Sequence, residues 1–152
     1  MCQPTQDTNT SISSAAARKQ DETVTPLARW IEGGVRGHFV VKRLKNADVV
    51  LTLSALERMR RIGDDFVGKK YDLTFEWSDD NKYCSELIRI VYDRGADAQL
   101  SPLRTLADFD LSSPEVQRLM KERYGNAIPL SEAVVSPSDL FDSALLREVT
   151  HN

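Results

Sequence analysis

The sequence predicts an α+β fold, and three observations lead there. Apolar residues recur at helical spacing in several separate segments. β-Branched and aromatic residues concentrate in two short runs, around 37–44 and 71–77, too few for an all-β architecture. A chain of 152 residues, 41% of them hydrophobic, is enough for one core and not for two.

Taken in order, residues 1–22 are rich in Thr, Ser, Gln and Asp and hold almost no large apolar side chain. Such a stretch buries too little surface to offset its ordering entropy and reads as a disordered tail, leaving 23–152 as the domain. Pro26 suits a first helical turn, and Leu27, Trp30 and Ile31 share one face before Gly33-Gly34 ends the helix. Gly37 to Leu44 has a β-branched centre, Val40-Val41, between Gly37 and the turn-like Lys45-Asn46-Ala47-Asp48, and is the one strong strand signal. Ser54-Ala55-Leu56-Glu57 reads as a capping box, followed by Leu56, Met59, Gly63 and Phe66 at helical spacing. Arg58, Arg60 and Arg61 fall off that stripe, as a solvated helix face requires.

Tyr71 to Trp77 alternates in strand fashion and gives way to the turn Ser78-Asp79-Asp80-Asn81. A helix then starts, with Cys84, Leu87, Ile88 and Val91 at i, i+3, i+4 and i+7, and Arg94-Gly95 marks its end. Ser112-Ser113-Pro114-Glu115 opens another helix that runs to Gly125. Val134 to Phe141 suggests a strand-like entry into a last helical turn.

Composition excludes several function classes. Twenty Lys and Arg against twenty-three Asp and Glu leave a net charge of −3, which offers no electrostatic footprint for nucleic acid or an anionic membrane. No apolar stretch exceeds three residues, Val49-Val50-Leu51 being one of them, far short of the ~20 residues that span a bilayer, and the first residues lack the apolar core of a signal peptide. Two Cys and two His at scattered positions have no metal-ligand spacing. Gly33-Gly34-Val35-Arg36-Gly37 lacks the Lys-Ser/Thr of a phosphate-binding loop, so no cofactor is expected. Cys2 and Cys84 make no disulfide framework, and no bridge is expected between them.

Cys84 therefore has to be judged by its surroundings. A nucleophilic cysteine acts as the thiolate, and the unpaired N–H groups and partial positive charge of a helix start lower its pKa from the free value of about 8.5. The same N–H groups suit the oxyanion of a tetrahedral intermediate. Periodicity alone points the other way, to a buried cysteine packed as a small hydrophobe in register with Leu87, Ile88 and Val91.

The wider sequence weighs on the side of chemistry. Gly68-Lys69-Lys70-Tyr71-Asp72, Phe75-Glu76-Trp77-Ser78-Asp79-Asp80 and Tyr83-Cys84-Ser85-Glu86-Leu87-Ile88 resemble the YiiX/YebB-like cysteine hydrolases, permuted relatives of papain in the NlpC-type superfamily. Thr25-Pro26-Leu27, Phe109-Asp110-Leu111, Lys121-Glu122-Arg123-Tyr124-Gly125 and Val134-Val135-Ser136-Pro137 extend the resemblance from Val24 to Val149. It implies helices packed on a small antiparallel β-barrel, incomplete in this chain, and a Cys84 nucleophile hydrolysing an amide or related acyl bond. Tyr71 and Trp77 would then face the substrate, although Tyr71 reads equally well as a core aromatic of its strand. The resemblance leaves a cell-wall peptide or a lipid-linked acyl group open as substrate.

The resemblance also exposes a gap. Cysteine catalysis of this type needs a base, normally His. His151 stands next to the last residue and is expected to be mobile. His38 does not align with the family's base, which lies on an earlier barrel strand, and reads as a solvent-facing strand residue. The expectation is thus a hydrolase whose activity is impaired as this chain stands, with a non-catalytic binding module as the alternative and self-association through exposed barrel edges as a consequence.

Overall fold

A computed structural model describes residues 24–72, 75 and 80–151, the last two by backbone alone. The expected tail, most of the 71–77 run and Trp77 lie outside the described residues. Helix α1 (Leu27–Glu32) leads through a tight 3-10 turn to strand β1 (Val40–Leu44). Helices α2 (Ala47–Val50), α3 (Leu53–Asp64) and α4 (Cys84–Ala96) follow. Strand β2 (Arg104–Thr105), helix α5 (Pro114–Tyr124), strand β3 (Ala133–Val134), helix α6 (Pro137–Phe141) and strand β4 (Leu146–His151) complete the order.

Among the described residues the strands form two antiparallel pairs, β1 with β4 and β2 with β3, and no closed barrel. In the first pair Leu44 faces Leu146 and Val40 faces His151, with a bulge opposite Val41 and Lys42. Strand β4 corrects the expectation for His151, whose backbone is held in a ladder. Nothing in Leu146-Arg147-Glu148-Val149 marks a strand as firmly as Val40-Val41 does, and the pairing with β1 decides it.

Helix α3 starts earlier than the Ser54 capping box predicted. Thr52 is the N-cap, its hydroxyl accepting from the Ala55 N–H at 3.2 Å. That start turns Ala55 inward and leaves Leu56 exposed, so Ala55 replaces Leu56 at the head of the predicted stripe, whose other members Met59, Gly63 and Phe66 keep to the buried or half-buried side. Helix α4 also runs past its predicted end. Gly95 sits inside it, because α3 passes so close that a Cβ there would lie 2.4 Å from Met59 Cγ and 3.0 Å from Met59 Cα. The helix ends instead at Asp97, which takes the left-handed conformation at φ 51°.

The core joins these pieces. Leu44 of β1, Ala55 of α3, Tyr83 and Ala96 at the two ends of α4, Ala98, Leu100, Val135 and Leu140 of α6 form one buried cluster. α4 is thus packed along α3 and capped by the 133–136 segment. Both contacts bear on the residues around Cys84.

Candidate active site

Cys84 is the first residue of α4, as the sequence predicted, and Tyr83 is its N-cap with extended backbone. The residues on either side are fixed. Lys82, Tyr83, Ser85 and Glu86 are all buried, and Cys84 alone in that run is half-exposed. The Tyr83 hydroxyl accepts from the Val135 N–H at 2.8 Å while Ser85 Oγ donates to the Val135 carbonyl, also at 2.8 Å. One peptide segment is therefore gripped from both sides of the cysteine.

The second pair of anchors is ionic. Lys82 Nζ lies 2.8 Å from Glu86 Oε1, with the two side chains 1% and 0% exposed. Glu86 is the third residue of α4, where the backbone N–H groups of the helix start favour its carboxylate. Burial pushes the Glu86 carboxyl above its ordinary value, and the bond and charge of Lys82 oppose that shift. Burial likewise holds the Tyr83 hydroxyl protonated far above its usual range.

Lys82 also holds the segment that carries Tyr71. Its carbonyl accepts from the Asp72 N–H at 3.1 Å, and Tyr71 and Lys82 form a parallel β-bridge. That bridge sets the half-buried Tyr71 hydroxyl 3.8 Å from Cys84 Sγ, as donor. The structure thus joins two of the three predicted site residues. Trp77, the third, lies outside the described residues. Phe75 packs edge-on against Tyr83, centroids 4.9 Å apart, with a φ of 55° that a bulky residue rarely adopts.

The sulfur of Cys84 is in a disulfide, against the expectation of no bridge, and the other half lies outside the described residues. Chemistry at this position belongs to the reduced form. The two histidines stand elsewhere. His38 is exposed two residues before Val40, and the backbone of His151 pairs with Val40, so both stand at one end of the β1–β4 ladder. Leu44, which packs with Tyr83, is at the other end, roughly 13 Å along a strand of this length.

The periodicity missed the anchors. Its apolar stripe of Cys84, Leu87, Ile88 and Val91 is half-buried, while the fully buried side of the helix carries Ser85, Glu86, Arg89 and Ile90. Arg89 is satisfied there by the Ser101 carbonyl at 3.2 Å and by Asp93 at 3.7 Å. Lys82 and Glu86, four residues apart across a helix start, were the available signal.

Comparisons with known proteins bear on the family and the fold. Residues 4–150 match the family described as permuted papain-like amidase enzyme, YaeF/YiiX, C92 family. The chain belongs to that family. Among relatives of these permuted papain-like amidases, the uncharacterized protein YiiX of Escherichia coli strain K12 is 42% identical over 125 residues, 82% of this chain. The chain spans about 60% of that relative's length. A crystal structure titled metalloprotein yiiX, from Escherichia coli O157:H7, superposes with a TM-score of 0.77 at 40% identity, over 84% of this chain and 69% of that one. The permuted papain-like fold with its α+β composition follows.

Proposed function

We propose that this chain is a cysteine hydrolase of the amidase type, with reduced Cys84 as nucleophile. The observation that carries the proposal is the contrast at the start of α4, where a half-exposed cysteine stands between four buried, bonded neighbours. Such a thiolate meets an incoming carbonyl in a fixed orientation. The unpaired N–H groups of the first helical turn favour the thiolate and are placed for the oxyanion. Tyr71 adds a hydroxyl donor to the sulfur from the other side.

The reaction balances as ordinary acyl transfer. The thiolate attacks the carbonyl carbon, the C–N bond breaks as the departing amine takes a proton from water, and the hydroxide left hydrolyses the thioester to the acid, returning the thiolate. Among the described residues no group of three or more His, Cys, Asp or Glu is disposed for a metal ion.

A second reading, a binding module without turnover, draws on the position of the histidines at the far end of the β1–β4 ladder. One experiment separates the two. The fully reduced protein in a Cys2→Ser background is alkylated with iodoacetamide across pH, and the rate at Cys84 is followed by mass spectrometry. We expect an apparent pKa at least about one unit below the free value of about 8.5, rising in Tyr71→Phe. An ordinary thiol titration unaffected by Tyr71→Phe would sink the nucleophile assignment.

A further inference from the structure

Beside α4 lies a cavity of about 300 Å³, at the lower end of the range for small-molecule sites. Val24, Phe66, Val67 and Leu87 give it apolar walls, and Gly63 of α3 forms part of the helical wall. Arg60 and Asp64, an exposed pair 3.6 Å apart, also line it and supply its charge. Leu87 connects it to the candidate nucleophile. It follows Cys84 by three residues, which puts the two on one face of the helix about 4.5 Å apart along the axis. Phe66 makes a second connection, since its ring lies 5.8 Å from the ammonium of Lys82.

We propose that this cavity is a subsite for the apolar group of the amide substrate, an aliphatic chain or branched side chain next to the scissile bond. The proposal rests on the reading of Cys84 as the nucleophile and deepens it. Nothing in the fold requires Gly63 to be glycine: its φ is not left-handed, and a Cβ built there meets nothing within 4 Å. A helix interior favours almost any other residue there by up to about 1 kcal/mol. Space is therefore kept open at the cavity wall.

Binding is measured on reduced Cys84→Ala protein, so that the result is independent of catalysis. The probes are N-methylacetamide, N-hexylacetamide, N-methylheptanamide and N-acetyl-leucine methylamide, followed by NMR shifts of the Leu87 and Val67 methyl groups. We expect the larger probes to bind at least tenfold more tightly than N-methylacetamide, with about fourfold per added methylene until the cavity is filled. The two hexyl-type probes identify which side of the amide carries the chain, and the leucine probe distinguishes a peptide side chain from an acyl chain. Gly63→Leu, which fills the cavity from α3, abolishes the gain, and Val67→Glu, at a half-exposed wall, does the same should the first variant fold poorly. Equal affinity across the probes, or a gain that survives both substitutions in folded protein, overturns the subsite. Failure of hydrolysis alone, with the gain intact, counts against the nucleophile and leaves the subsite standing.

Discussion

Lys82 and Glu86 hold the first turn of α4 at the cost of burying two charges. Their ion pair offsets desolvation only while both partners are present. Lys82→Met or Glu86→Gln alone should therefore lower stability by about 3–5 kcal/mol in chemical denaturation. The double replacement Lys82→Met with Glu86→Leu should recover most of that loss. The pH dependence follows from the same carboxyl, which faces Lys82, Asp72 and the Tyr83 hydroxyl. Its folded pKa is raised, so as pH rises above its ordinary value of 4.5 the unfolded chain ionises first and binds fewer protons. This contribution to stability is greatest below 4.5 and is lost as pH climbs through the raised value. Glu86→Gln should flatten that slope, as measured by denaturant midpoints from pH 4 upward.

At the scale of elements, the α3–α4 contact makes opposite demands on two glycines. Gly95 faces the backbone of Met59 with no room for a Cβ, whereas Gly63 has open space. Gly95→Ala should destabilise by about 1–3 kcal/mol through overpacking, while Gly63→Ala should stabilise by up to about 1 kcal/mol through helix propensity. Thermal unfolding of the two variants checks the sign of each. A glycine inside a helical pattern reads as a terminator from sequence, which is why α4 was expected to end at Arg94-Gly95. Only the distance to α3 reveals Gly95 as a packing residue.

For the whole molecule, the features legible in sequence are those governed by local physics. Ser113, N-cap of α5 with Pro114 behind it, and Ser136, N-cap of α6 with Pro137, stand where turn chemistry placed them. The start of α4 at Cys84 was legible for the same reason. Features set by distant partners were not. α2 is one turn long, β4 depends on β1, and the buried Ser85, Glu86 and Arg89 look like a solvent face until their partners at Val135, Lys82 and Ser101 are known. A chain ending at Leu145 would leave β1 without its ladder and Leu44 without Leu146. We expect such a chain to lose cooperative unfolding, and calorimetry would register the missing transition.

The β1–β4 ladder also sets an order of events in time. Its strands are separated by roughly a hundred residues, a span that raises contact order and slows folding. During synthesis at about 5–20 residues per second, β1 waits on the order of five to twenty seconds for the strand that pairs with it. Through that interval its open backbone is exposed to other chains, and helices α3 and α4 form against each other before the sheet can close. The helix that carries Cys84 thus takes its place early, and strand β4 completes the sheet last.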